Sequence, residues 1–513
     1  MASDNKTIAK NTIFLYIRML VTMIISLYTS RVILQVLGVD DYGIYQAVGG
    51  IVGFLAFINS ALSGGTSRFL TFELGTGNKE KLKNTFSTTL TVHILLALFV
   101  VLLGETIGLW YFNNKMVIPD ERFAAATAVF HLSMLTAIIS IISVPYNSAI
   151  IAHEKMKVFA YVGIVEAVSK LAIVFALTIG DIDKLVLYAI LLLAIQASIF
   201  LFYVIYCRKS FEESGYQLFF IDKKLFKEIF SFSGWGLLAG GATALNSQGI
   251  LLLLNYFFTP AVVAARSISL QVYSVANQFV NNFRTAANPQ IVKQLASGDV
   301  AGSHSLLLQS TKFSYYLMLV LCLPICLLAA PLLNIWLVEV PEYTIPFLQL
   351  VIIQSLFQVF DTSFYTALFA KGRIKENALI SPTIGLLRFP IIYLFFRCGY
   401  SPLALSWASL ITFVILGCVV KPILIVKIAD YTWKEILQTM STCLFVTLAA
   451  VPMPLAAYLL LDVEESLLHS AIVLVLSVAC VASSVWFLGM TKNMKQLLLN
   501  AVLFKLHIER KEK

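Results

Sequence analysis

Charge is scarce in this 513-residue chain: 13% of residues are Asp, Glu, Lys or Arg. Soluble domains carry about 25%, so a globular enzyme surface is excluded. Histidine and cysteine are thin too, at six and seven residues. Cys322 and Cys326 are the one close pair of thiols, and no CxxC or Cys/His cluster occurs. That pattern argues against a zinc site and a disulfide framework. No Walker A sequence is present, so direct ATP hydrolysis has no support. The longest segment between apolar runs, Cys207 to Lys227, is too short for a soluble domain. No cofactor, no metal and no enzymatic activity are therefore expected.

What is present is apolar: 59% hydrophobic residues and a mean hydropathy of +0.85. This composition describes an all-α polytopic membrane protein. The N-terminal run through Leu34 is too long for a signal-peptide core, and Arg18 interrupts it. It reads as a first, retained spanning helix. A helix needs about 20 apolar residues to span a bilayer. That criterion predicts fourteen spans, at 11–34, 43–65, 86–110, 123–149, 157–180, 184–206, 228–255, 261–285, 312–337, 345–369, 377–396, 403–427, 440–461 and 467–489.

The net charge of +9 fits basic cytoplasmic loops rather than nucleic acid. With the N-terminus inside, most of the 37 Lys and Arg, Lys421 among them, sort to the cytoplasmic side. Arg31, Lys115, Arg122, Lys184, Arg266 and Arg397 sort outside, and Arg18, Lys170 and Arg388 fall within spans. Both termini are then cytoplasmic, with the excess charge suited to anionic lipid headgroups.

The chain also repeats. Aligning Gly77 with Gly298 matches Leu74 to Leu295, Thr76 to Ser297 and Asn78 to Asp299. The same register lays the turn at Gly38 over Thr259. An offset of six spans preserves orientation, which implies parallel repeats. The predicted organisation is a lobe at 1–206, a cytoplasmic linker at 207–227, a second six-helix lobe at 228–428, and two added helices with a basic tail at 429–513.

One stretch, Thr243 to Asp299, is long and apolar yet rich in amides. At about 100° per residue, Gln271, Ser274, Gln278, Asn281 and Asn282 share a side with Tyr273, Asn277 and Arg284. A polar half in lipid must face protein or water. The stretch reads as a cavity-lining helix of a transporter.

SRVILQVLGVDDYGIYQAVGG and SRFLTFELGTGN, with LNSQGILLLLNYFFTPAVVAARSISLQV, resemble bacterial polysaccharide flippases. The group is the multidrug/oligosaccharidyl-lipid/polysaccharide (MOP) exporter superfamily, and the sequence is most similar to the Wzx-type O-antigen or capsule repeat-unit transporters. The resemblance implies a MATE-like fold of two six-helix lobes plus two C-terminal helices. It implies translocation of undecaprenyl-diphosphate-linked oligosaccharide across the bacterial plasma membrane, coupled to H+ or Na+, beside polysaccharide polymerase machinery.

A diphosphate needs cations when its headgroup leaves water, and guanidinium binds phosphate through two N–H groups. Arg18, Lys170, Arg266 and Arg388 are the candidate phosphate contacts, with Arg284. Gln271, Gln278, Asn281 and Asn282 offer donors and acceptors to sugar hydroxyls. Plainer roles compete: Lys170 can pair with Glu166 four residues earlier, Arg18 can snorkel, and Arg266 can anchor at the interface. Asp361 shares a helical face with Gln354 and Gln358, and an intramembrane carboxylate marks a site. Asp361 and Glu166 are the ion-coupling candidates, with a salt bridge from Asp361 to Arg388 as the structural alternative. His93 reads as a packing residue. The competing activities are a multidrug exporter of the same fold and a membrane glycosyltransferase or polymerase. Asp40–Asp41 could imitate an acidic motif, but reads better as a turn.

Overall fold

The structure is a computed structural model. It describes residues 2–55, 57–177, 182–215, 220–228, 241, 244–373, 375–464, 466–492 and 494–496. Of 2–18, 57–62, 64, 285–286, 289 and 378 it describes the backbone alone. The described residues are almost entirely helical and include no strand. Among them, eleven helices are long and apolar enough to cross a membrane. The three other expected spans fall differently. Residue 56, within 43–65, and half of 228–255 lie outside the described residues. Residues 261–285 belong to the amide-rich helix, which is not among the eleven.

The helices group into two compact units. The first holds residues up to Ile268 with two short segments, Leu337–Tyr343 and Tyr393–Pro402. Its helices are α1 (Ala2–Leu55), α2 (Phe57–Thr76), α3 (Lys79–Leu103), α4 (Leu109–Lys115), α5 (Phe123–Ala152), α6 (Met156–Ala176), α7 (Lys184–Ser210) and α8 (Ile250–Phe257). The first turns of α9 (Pro260–Ala296) complete it. α1 is two helices joined at Gly38, whose φ of 81° is open to glycine and strained for other residues. The turn therefore sits at Gly38. Asp40 and Asp41, expected in the turn, already belong to the next helix.

Leu70, Phe86, Tyr146, Ile150, Tyr203 and Cys207 form a common core from α2, α3, α5 and α7. In lipid, helix association rests on such close packing rather than on leaving water. His93 is buried and its Nδ1 lies 2.8 Å from the Thr89 carbonyl oxygen of its own helix, the packing role expected for it.

Beyond Gly38 the chain passes very close to α9. A Cβ on Gly43 would lie 2.0 Å from the Pro260 carbonyl oxygen, so backbone would have to move. Gly43→Ala is expected to lower stability by about 1–3 kcal/mol. Gly49→Ala, whose Cβ would meet nothing within 4 Å, should not. Thermal unfolding of the two purified variants in detergent separates them.

Near this kink, Arg122 clamps two carboxylates. Its Nε donates to Asp41 Oδ1 at 2.7 Å and its NH1 to Asp183 Oδ2 at 2.5 Å. Asp183 also caps α7, accepting from the Leu185 and Val186 amides. One guanidinium thus ties the second half of α1 to the starts of α5 and α7. All three side chains are partly exposed, so Arg122→Ala should cost only about 1 kcal/mol, read as a small fall in melting temperature.

The second unit begins at Ser269 within α9. It contains α10 (Val300–Leu327), α11 (Ala329–Trp336), α12 (Thr344–Ala370), most of α13 (Lys375–Arg397), α14 (Ala404–Ile415), α15 (Lys421–Ala429), α16 (Trp433–Ala450), α17 (Pro452–Leu460) and α18 (Leu467–Ser484). A π-helical turn at Leu416–Val420 joins α14 to α15. The paired helix exits match in geometry. Gly77 and Gly298 have φ of 72° and 86°. Asn78 then caps α3 through the Lys81 amide, and Asp299 caps α10 through the Gly302 amide. This is the sequence repeat expressed as backbone.

Candidate functional site

In the first unit, α1 and α6 open a polar cavity of about 350 Å³. Ser26, Thr29 and Ser30 line it from α1, Gln46 from beyond the kink, and Glu166 and Lys170 from α6. Lys170 Nζ donates to Glu166 Oε1 at 2.6 Å. The (i, i+4) spacing places both groups on one helical face, so the expected pairing is present. Both side chains remain partly exposed, at 45% and 34%. The cavity therefore presents a neutral pair among hydroxyls and an amide. Arg266, near the start of α9, is buried. The Arg18 side chain lies outside the described residues.

In the second unit, part of the polar half of α9 meets α12. Tyr273, Asn277 and Arg284, spaced i, i+4 and i+11, turn toward the network of α12. Tyr273 Oη donates to Gln358 Oε1 at 2.6 Å, and Asn277 Nδ2 donates to Tyr273 Oη at 3.2 Å. Arg284 NH2 donates to the Thr362 carbonyl oxygen. Gln278 and Asn281 are exposed, while Gln271 and Asn282 are half-buried; Asn281 Oδ1 accepts from Arg284 NH1 at 3.5 Å. The sequence pattern showed one polar side. Contacts with α12 engage Tyr273 and Arg284 of that side directly.

The α12 face predicted from Gln354, Gln358 and Asp361 is present, with Gln354 buried. The partner of Asp361 differs from the one expected. Lys421 Nζ lies 3.2 Å from Asp361 Oδ1, and the two side chains are 3% and 16% exposed. Lys421 also donates to Asn377 Oδ1 and sits 5.3 Å from the centroid of the Tyr365 ring. Arg388, the expected alternative partner, is buried elsewhere on α13.

Charge sorting alone assigns Lys421 to the cytoplasmic side, because it stands near the end of an apolar run. In the structure Lys421 is buried and paired with Asp361. The π-helical turn just before Lys421 inserts an extra residue into the helical repeat and re-aims the side chains beyond it. Gly417 within that turn also admits the neighbouring backbone, since a Cβ there would lie 2.4 Å from the Phe357 carbonyl oxygen. Helical periodicity carries no signal for either feature.

Among the described residues no group of three His, Cys, Asp or Glu is placed to hold a metal ion. The seven cysteines are free thiols, with Cys207, Cys322 and Cys443 buried.

Fold and site define a predominantly helical, multi-pass membrane protein. The chain belongs to the polysaccharide biosynthesis protein family, whose model matches residues 8–295. It is similar to the lipid II flippase MurJ in an inward closed conformation, with 15% identity and a TM-score of 0.69. That match covers 92% of this chain and 98% of that structure. It is also similar to an inward-facing MATE family multidrug resistance transporter, at 15% identity and a TM-score of 0.64, over 80% and 96% of the two chains. Among curated proteins, the uncharacterised membrane protein EpsK of Bacillus subtilis (strain 168) is 21% identical over 330 residues. That match spans 62% of this chain and 63% of EpsK.

Proposed function

We propose that this protein flips undecaprenyl-diphosphate-linked oligosaccharide repeat units, of the O-antigen or capsule class, from the cytoplasmic to the outer leaflet of the bacterial inner membrane. Two lobes, residues 1–206 and 228–428, work by alternating access, and both termini are cytoplasmic. The observation that carries this reading is an excess of cations well inside the helices. Arg266, Arg284, Arg388 and Lys421 stand against one carboxylate, Asp361, in α9, α12, α13 and α15. Charges at that depth are costly and mark a substrate or ion path. In a polysaccharide biosynthesis family, the lipid-linked diphosphate supplies the anion that such cations serve.

In this reading Arg18, Arg266, Arg284 and Arg388 neutralise the phosphates in transit. The amides of α9, Gln271, Gln278, Asn281 and Asn282, meet the sugar hydroxyls. Glu166 and Lys170 line a second polar surface in the first unit, and Asp361 belongs to the coupling machinery. The polysaccharide polymerase machinery receives the product. A multidrug exporter shares the fold, but cationic drugs call for carboxylates, and the charge balance here runs the other way.

The test uses proteoliposomes loaded with labelled lipid-linked oligosaccharide. A glycosidase added outside should cleave the sugar only when active protein is present. Equal cleavage in protein-free vesicles, or turnover of the sugar by the protein itself, would overturn the proposal.

A further inference from the structure

We propose that Lys421 is a tethered cation. Its ammonium fills a cation-coordination site made by Asp361, Asn377 and Tyr365, so no metal cation binds there in the native chain. The donor set is the observation. A carboxylate oxygen at 3.2 Å, an amide oxygen and an aromatic face at 5.3 Å surround one nitrogen that is almost wholly buried. They come from two helices, Asp361 and Tyr365 from α12 and Asn377 from α13, and Lys421 reaches them from a third, α15. Carboxylate and carbonyl oxygens are the ligands a hard cation takes, and an aromatic face attracts a cation without hydrogen bonding. Lysine meets the same set as a compact point charge with three donors.

The surroundings hold the ammonium in place. Asn377 Oδ1 also accepts from Ser381 Oγ at 2.9 Å, which fixes the amide with its oxygen toward Lys421. Gly417 and the π-helical turn bring α15 against α12. Arg284, whose guanidinium donates to the Thr362 carbonyl oxygen beside Asp361, adds a second positive charge. A mobile cation entering from solution would meet that charge as well as the resident ammonium. For a transporter, the consequence is that Asp361 acts through Lys421 and not through bound sodium. Only this consequence rests on the proposed function; the coordination itself does not.

The experiment uses the purified full-length chain in detergent, without lipid-linked substrate, so its outcome is independent of flipping. Thermal unfolding is compared in sodium chloride and in choline chloride at equal ionic strength, and radioactive sodium binding is measured in parallel. Wild type should unfold at the same temperature in both salts and bind no sodium. Lys421→Met should gain a sodium-specific rise in melting temperature, because a ligand that binds only the folded state stabilises it. It should also bind sodium, and Asp361→Asn in the same background should abolish both effects.

Sodium-specific stabilisation of wild type that Asp361→Asn removes would overturn the proposal. So would a folded Lys421→Met protein that binds no sodium. Should Lys421→Met fail to fold in either salt, Lys421→Ala is purified with propylammonium chloride. Recovery of a monodisperse protein by propylammonium but not by choline supports the tethered cation, and no recovery overturns it.

Discussion

Replacing Lys421 by methionine is expected to lower stability by about 3–5 kcal/mol when measured in choline chloride, because it strands the Asp361 carboxylate. Methionine roughly preserves the length of the side chain, so packing around Tyr365 changes little. What is lost is the charge that compensates a carboxylate only 16% exposed. The decisive comparison is the double variant. Lys421→Met with Asp361→Asn leaves no buried charge at the site, and neutral replacements of a buried pair often cost little. It should recover most of the lost stability. If the single and double variants unfold alike, Asp361 is not held by Lys421 and the ion pair contributes nothing.

Arg388→Ala is expected to reduce flipping in proteoliposomes by about 10–100-fold, the equivalent of losing one charge-assisted contact worth ~1.5–3 kcal/mol. Arg388 is 5% exposed and stands in the middle of α13, between Leu387 and Phe389, with Pro390 next. A guanidinium there is too deep in its helix to serve as a headgroup anchor. Arg388→Lys keeps the charge but loses the planar fork, so it should retain activity between wild type and alanine. Unchanged flipping in Arg388→Ala, at equal amounts of folded protein in the vesicles, would remove Arg388 from the substrate path. Equal losses in the lysine and alanine variants would assign it a packing role.

The two variants address different links. Lys421 concerns how a helix carries a charge stably within its unit, and its readout is unfolding. Arg388 concerns what crosses the membrane, and its readout is transport. A change that destabilises the protein without altering flipping per folded molecule separates the resident ion pair from the substrate path.

Much of this protein is determined locally and is therefore legible in the sequence. Scarce charge and long apolar runs dictate a multi-pass helical membrane protein, since hydrocarbon tolerates backbone only when its polar groups are paired within the helix. The Gly77–Asn78 and Gly298–Asp299 exits can be matched because a left-handed glycine followed by a capping side chain is a local requirement. The Glu166–Lys170 pair arises from spacing on one helix.

The partner of Asp361 is not legible in this way. It depends on which helices meet and at what angle, and on a π-helical turn that shifts Lys421 out of its regular register. The bonds from Tyr273 and Arg284 of α9 to α12 are likewise a property of contact. Residue order by itself determined which positions are polar and which of them share a helical face. Only the tertiary structure decided which polar group answers which, because that choice is made across space by residues far apart in the chain.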